Sequence, residues 1–223
     1  LAESVAAEMA ADWDESAAAE SAQAIEATGG KAASIKCDVS NRDQAHAAVE
    51  ATVKAFGQID ILINNAGITR DATLLKMEPH QWDQVIAVNL TGVYNCSQAA
   101  GQHMRERQYG RIVNASSISG FGNFGQSNYA ATKAGLVGLT RTMAIELARY
   151  KVTVNAIAPG FIKTDMTAAM PPDFQEAMIQ SIPMKRAGAP LDIARVYRFL
   201  VDPASDFITG QLFVIDGGAT LPH

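Results

Sequence analysis

Cysteine is scarce in this chain: Cys37 and Cys96 are the two present in 223 residues. They lie far apart in apolar surroundings and fit neither a metal-ligand spacing nor a disulfide framework, so both read as structural thiols. The four histidines, His46, His80, His103 and His223, are scattered singly. That suits solvated or capping positions and brings no metal site into view. Positive charge is short as well: 18 Lys and Arg against 23 Asp and Glu give a formal net charge of −5. The basic residues form no stripe, which argues against nucleic acid or an anionic membrane as partner. No apolar run approaches the roughly 18 residues of a spanning helix, and residues 1–10 lack the basic and apolar regions of a signal peptide, so a cytoplasmic location is expected. Internal repeats, low-complexity linkers and charge blocks are missing too. These absences leave a chain expected to act on a small molecule.

What is present is enough apolar material, 48% of residues against 18% charged, to bury a core as one domain over residues 1–223. Short β-branched runs recur at 33–37, 59–63, 112–113, 152–157 and 212–215, separated by longer stretches of helical pattern. The pattern is clearest at 44–56, where Ala45, Val49, Val53 and Phe56 recur at three- and four-residue intervals, and again at 129–147. The alternation predicts an α/β fold, a doubly wound parallel sheet with helices on both faces.

Ligands of such sheets bind outside the carboxyl ends of the strands, so chemistry is sought just after each run. Small or polar residues stand there: Asp38 and Val39, then Asn64, Asn65, Ala66 and Gly67, then Ser116 and Ser117, then Pro159 and Gly160. The sharpest local feature is Tyr129 with Lys133, four apart and hence on one helix face. An ammonium beside a phenol favours the phenolate and is expected to lower the tyrosine pKa from its ordinary value near 10. Taken alone, such a pair also arises by chance on many helix surfaces.

The order of the motifs decides between these readings. Asn64-Asn65-Ala66-Gly67, Val88-Asn89-Leu90, Ile112-Val113-Asn114-Ala115-Ser116-Ser117, Tyr129-x-x-x-Lys133, Pro159-Gly160-Phe161-Ile162-Lys163-Thr164, and Ile208-Thr209-Gly210 with Asp216-Gly217-Gly218 follow one another. Together they resemble the short-chain dehydrogenase/reductase family across nearly the whole chain. That resemblance implies a Rossmann-type fold and hydride transfer between a nicotinamide cofactor and a carbonyl or secondary alcohol. It implies Tyr129 as proton donor, Lys133 on the nicotinamide ribose hydroxyls and Ser117 on the substrate oxygen. Asn89 would anchor a proton-relay water, although a kinking or capping asparagine is the alternative reading. Asn65, Ala66 and Gly67, with Pro159, Gly160, Ile162 and Thr164, would line the cofactor. The family commonly forms tetramers through long helices, here 82–105 and 129–150, so a homotetramer is expected.

Two departures stand out. The family's first strand and its Gly-rich turn, which brings backbone N–H groups to the pyrophosphate, have no counterpart in the sequence. Gly29 and Gly30 are the first glycines and read as a helix C-cap. Residues 1–9 resemble the helix that follows that turn, and residues 11–14 the end of the second strand. The expectation is therefore that one segment is missing before Leu1 and another near the junction of Ala10 and Ala11. The second departure is a spacing: Tyr129 lies twelve residues after Ser117, whereas the family spacing of thirteen points to Ser116, and alignment from Gly110 favours Ser117.

Asp12 occupies the position where an acid accepts from the adenosine ribose and repels a 2′-phosphate, favouring NAD over NADP, with a helix N-cap as its alternative role. Asp38 and Val39 would flank the adenine. Residues 164–190, carrying Met166, Met170, Met178 and Met184, resemble a substrate lid. The segments from Gly67 and from Asn155 are closest to 3-oxoacyl-acyl-carrier-protein reductases and acetoacetyl-coenzyme A reductases. That likeness implies reduction of 3-oxoacyl thioesters carried on acyl carrier protein or coenzyme A. Arg105, Arg107 and Arg111 would then receive an acidic carrier, or simply form a solvated helix end. Two alternatives accompany this reading: an NAD-dependent dehydrogenase of a secondary alcohol, sugar or polyol, and an inactive family member serving as a binding subunit.

Overall fold

The computed structural model of the chain describes residues 7–164, 167 and 170–222. Residues 1–6, Met166 and His223, on which some of the expectations fall, lie outside them.

The first strand, β1 (Ala7–Asp12), pairs in parallel with β2 (Lys31–Lys36), from Ala7 opposite Lys31 to Asp12 opposite Lys36. Between them runs α1 (Glu15–Ala27), started by Asp14, whose carboxylate accepts from the backbone N–H groups of Ser16 and Ala17. It ends at Gly29, which takes the left-handed φ of +86° that a C-cap demands. α2 (Arg42–Phe56) is capped by Asn41 and closed by Gly57, and leads to β3 (Ile61–Asn64). α3 (Pro79–Ile86) runs through a π-helical turn, Ala87–Thr91, into α4 (Gly92–Arg107). Then follow β4 (Gly110–Ala115), α5 (Ser127–Leu147), β5 (Val152–Pro159), α6 (Pro172–Ser181), α7 (Pro190–Val201) and β6 (Leu212–Ile215).

The strands β3, β4, β5 and β6 form a parallel sheet in that order. Successive residues of β4 face opposite ways. Ile112 packs with Val49, Ala99, Met104, Met143 and Val154 under α2, α4 and α5, while Val113 packs with Ile157, Tyr197, Leu200 and Val201 under α7. Helices thus cover both faces, as the near-continuous apolar strands require.

One expectation is corrected. Residues 1–9 do not form a helix throughout, because Ala7, Glu8 and Met9 are already strand. Their pairing with β2 overrides the helical preference of Ala, Glu and Met. β1 runs through Ala10 and Ala11, opposite Ser34 and Ile35. The expected α/β class with parallel strands and helices on both faces holds, with β1 and β2 forming a two-stranded piece beside the four-stranded sheet.

Gly160 shows how tightly the carboxyl ends of β5 and β6 approach. Its N–H donates to Ile215 at 2.9 Å, and a Cβ there would lie 2.8 Å from the Cα of Asp216. Gly160→Ala is therefore expected to lose about 1–3 kcal/mol of stability, read as a lower urea midpoint at unchanged m value.

Candidate active site

Four strand and helix ends meet at the carboxyl side of the larger sheet. α5 delivers Tyr129 and Lys133 from its first two turns. The Lys133 ammonium is 3% exposed and donates to the carbonyl of Ala115, the last residue of β4, at 2.6 Å. Its Nζ stands 5.3 Å from the centroid of the Tyr129 ring. Ser116 and Ser117 leave β4 in opposite directions. Ser116 is buried and donates from Oγ to the Lys133 carbonyl at 2.7 Å, whereas the Ser117 hydroxyl accepts from Ser119 N–H and stands on the side of the Tyr129 phenol, whose ionised form it favours. The strand alternation that left two serines as candidates thus brings one of them, Ser117, to the phenol.

Asn89 lies in the π-helical turn and is fully buried. Its Oδ1 accepts from Ile68 N–H at 2.8 Å and its Nδ2 donates to the Ile68 carbonyl at 2.9 Å. This two-way clamp fixes the loop after β3. A Cβ on Gly67 would lie 3.5 Å from Asn89 Oδ1 and 3.6 Å from Lys133 Nζ, so the bare glycine backbone floors the space beside the ammonium. Asn65 accepts from the Tyr197 hydroxyl at 3.3 Å, next to Ala66.

Burial sets the electrostatics. It raises the Tyr129 phenol above its ordinary value; the Ser117 hydrogen bond pulls the other way, and the charge of Asp71 adds to the rise. The expectation that Lys133 lowers the tyrosine is therefore corrected. The ammonium sits against the ring and is itself pushed down to about 8 by burial. Tyr129 is therefore a neutral phenol at neutral pH. Burial pushes Cys96 up to about 12 and raises Cys37 too, which makes neither a nucleophile.

The remaining candidates lie around this centre. Asp38 caps its own turn through Ser40, and the Val39 carbonyl accepts from Asn95 of α4 at 3.0 Å. Pro159 and Gly160 end β5, while Ile162 and Gly188 bridge and join Phe161, Met184, Arg186 and Asp216 in lining a small cleft. Thr164 N–H donates to Thr167. Of the lid methionines within the described residues, Met184 lines that cleft. Asp12 is not a helix cap: Asp14 holds that position, and Asp12 accepts from Asp14 N–H at 2.9 Å. Arg111 does not belong to a docking patch. It is 2% exposed at the start of β4 and donates to the carbonyls of Gly110, Lys151 and Pro203, while Arg107 pairs with Asp60 at 3.0 Å. Both stand at the opposite end of the strands from Tyr129.

A buried polar layer lies under the site that motif spacing does not point to. Asn64 donates to Asn114 Oδ1 at 2.8 Å and to Ser97 Oγ, and Asn114 donates to Thr140 at 2.9 Å, tying β3, β4, α4 and α5 together. Asn128 donates to the carbonyls of Arg70 and Gln81. The signal was available in the asparagines set within apolar strands, a residue type strands disfavour unless it is partnered.

The residues fit one half of a nicotinamide dinucleotide. An ammonium has three donors, and among the described residues Lys133 has one hydrogen-bond partner, beside an open glycine floor suited to a sugar hydroxyl. The diphosphate half has no counterpart among them, since the family's first strand and the turn after it are not in this sequence. The described residues contain no Gly-rich turn leading from a strand into a helix.

Comparison with known proteins adds independent evidence. The family described as enoyl-(acyl carrier protein) reductase matches residues 1–220. A 3-oxoacyl-[acyl-carrier-protein] reductase of Synechocystis is 47% identical over 199 residues, covering 88% of this chain and 79% of that protein. A protein of the same name from Thermotoga maritima is 47% identical, covering 86% and 78%, and one from Staphylococcus aureus is 46% identical, covering 87% and 79%.

The Lys133 environment has a measurable consequence. Its folded value of about 8 lies below the ordinary 10.5, so between these pH values the unfolded chain binds a proton that the folded chain does not, and stability rises with pH. From pH 8 to 10 the protein is expected to gain up to ~2 kcal/mol relative to Lys133→Met, read from paired urea titrations. A pH-independent difference between the two would show that the ammonium is not desolvated.

Proposed function

The chain belongs to the short-chain dehydrogenase/reductase family, a membership that brings a nicotinamide cofactor, and from that premise we propose that it reduces 3-oxoacyl thioesters to 3-hydroxyacyl thioesters. The observation that carries the proposal is the group of Ser117, Tyr129 and Lys133 at the exit of β4, with the buried Lys133 ammonium on the Ala115 carbonyl and 5.3 Å from the Tyr129 ring. The substrate class follows the names of relatives 46–47% identical over most of the chain. Their agreement over so much of the chain outweighs the enoyl label of a broad family description.

When bound, the reduced nicotinamide supplies the hydride to the substrate carbonyl carbon. The protein's part is to orient the substrate and supply the proton. Ser117 donates a hydrogen bond to the carbonyl oxygen, and Tyr129, kept neutral by burial, gives that oxygen its proton as negative charge develops. Lys133 holds the sugar hydroxyls while its bond to the Ala115 carbonyl keeps the start of α5 at the exit of β4. Asn89 keeps the Gly67–Ile68 loop in place, with a relay water as its further role. Asn65, Ala66, Gly67, Pro159, Gly160, Ile162 and Thr164 line the cofactor, and Asp38 and Val39 flank its adenine. The Asp12 carboxylate at the end of β1 favours NAD over NADP. In this reading residues 1–223 act as one domain with 164–190 as substrate lid, on a substrate carried by acyl carrier protein or coenzyme A, in a cytoplasmic homotetramer. Among the described residues no helix is long and apolar enough to cross a membrane.

A second reading, an NAD-dependent dehydrogenase of a secondary alcohol or polyol, uses the same residues and draws support from Asp12. A third, a binding subunit without activity, rests on the Gly-rich turn that the described residues lack.

Loss of reduced-nicotinamide absorbance with acetoacetyl thioester, at millimolar cofactor, tests the proposal. Turnover with the thioester and none with a panel of alcohols supports it, and the converse favours the second reading. No turnover and no thermal stabilisation by either dinucleotide would leave the binding subunit. Tyr129→Phe is expected to lower kcat by about 10²–10⁴ and Ser117→Ala by about 10–10³, while Ser116→Ala retains most of kcat and loses stability instead. NADH is expected to outperform NADPH in kcat/KM, and Asp12→Asn to narrow the gap.

A further inference from the structure

The helix that carries Tyr129 and Lys133 starts without a side-chain cap or an acid of its own. Gln126 holds the N-cap position of α5, its side chain accepts from no backbone N–H of the first turn, and that turn contains no Asp or Glu. A helix start ordinarily has both, an acceptor for the free N–H groups and a negative charge for the dipole. Here the charge comes from another part of the chain.

The loop after β3 supplies it, together with the bonds that fix its place. Asp71 Oδ2 accepts from Gln126 Nε2 at 2.9 Å, Ala72 N–H donates to the Gly125 carbonyl at 2.9 Å, and the fully buried Asn128 donates to the Arg70 carbonyl at 2.9 Å. Asn123 donates to Gln126 Oε1 at 2.8 Å, which keeps the amide of Gln126 turned with its Nε2 to the carboxylate. Residues 70–72 and 125–128 are thus stitched together, and Tyr129 is the next residue.

The charges around the phenol leave Asp71 alone in sign. α5 brings the Lys133 ammonium, bound to the Ala115 carbonyl. The exit of β4 brings hydroxyls, those of Ser116 and Ser117, and the turn at Ile118–Phe121 brings no charged residue. Arg70, beside Asp71 in the chain, is directed to the Gln84 side chain and the Thr69 carbonyl. Among the described residues Asp71 is the one carboxylate whose charge is felt at the Tyr129 phenol. A field that reaches the phenol also reaches a substrate bound to it.

We infer that Asp71 is a specificity-determining residue of the proposed reduction: its carboxylate, pinned by Gln126 at the start of α5, disfavours substrates with a negative charge two bonds from the reacting carbon. The site is thereby directed to 3-oxoacyl thioesters in preference to free 3-oxo acids. A thioester puts an uncharged group where the free acid has its carboxylate, so a local field separates two compounds whose reacting ends have nearly the same shape. The inference rests on the reductase reading and adds which group makes the choice.

Two measurements test it. The ratio of kcat/KM for acetoacetyl-N-acetylcysteamine to that for acetoacetate is expected to fall at least about fivefold in Asp71→Asn, which keeps the size of the side chain and removes its charge. Asp71→Glu keeps the charge and is expected to hold the ratio within about twofold of its original value. An unchanged ratio in Asp71→Asn would overturn the inference, as would an equal fall in Asp71→Glu, since Asp71 would then serve only as a strut. The second measurement needs no turnover. Tyrosinate absorbance of Tyr129, read as the difference from Tyr129→Phe, is expected to appear about half a pH unit or more lower in Asp71→Asn, because loss of a negative charge favours the phenolate. A midpoint that stays fixed would overturn the inference whatever the kinetics. Absence of turnover with either compound, beside a shifted midpoint, would instead remove the reductase reading and leave the field of Asp71 in place.

Discussion

The bond from the buried Lys133 ammonium to the Ala115 carbonyl is the constraint on which the site depends. It ties the second turn of α5 to the last residue of β4, and everything chemical lies within a few residues of those two points. Tyr129 stands one helical turn before the lysine, Ser116 returns a hydrogen bond to the lysine's own carbonyl, and Ser117 is thereby turned outward to the phenol. The interaction is costly, since the ammonium is taken from water against one neutral oxygen. The lowered pKa of Lys133 reports that cost. A group under such strain gains from any ligand that offers it further acceptors, which makes the site more stable with sugar hydroxyls in place than without them.

The asparagine layer below extends the same logic to the scaffold. Asn64, Asn114 and Thr140 fix the relative height of β3, β4 and α5, so strand exits and helix start cannot slide independently. Buried polar networks of this kind trade some stability for a single geometry when each member is satisfied. The apolar clusters on either side, around Ile112 and around Val113, hold the layers together but would tolerate small shifts that the asparagines do not.

Much of this was legible in the sequence because spacing encodes it. The i, i+4 pair of Tyr129 and Lys133 needs only a helix to converge, and the small residues after each apolar run needed only a parallel sheet. The C-cap at Gly29 followed from glycine's access to positive φ. Other features depended on the partner strand. Ser116 and Ser117 differ by which way the chain faces, a property set by register and invisible in spacing alone. β1 was misread because Ala-Glu-Met favours a helix, and only the ladder to β2 overrules it. The tyrosine's raised pKa comes from burial, which the spacing of Tyr129 and Lys133 does not encode. Arg111 was grouped with its neighbours in sequence although it points among carbonyls inside the fold.

The π-helical turn at Ala87–Thr91 has a consequence of another kind. One residue more than an α-helix would use advances the phase of everything beyond it by about 100°, so α3 can meet α5 while α4, its continuation, turns a different side to β3, β4 and α2. The rod works as two helices with separately tuned faces, and its wide turn is where Asn89 reaches Ile68. Length is then the guarded property of this stretch. A single residue gained or lost within the turn would rotate one face away from its partners.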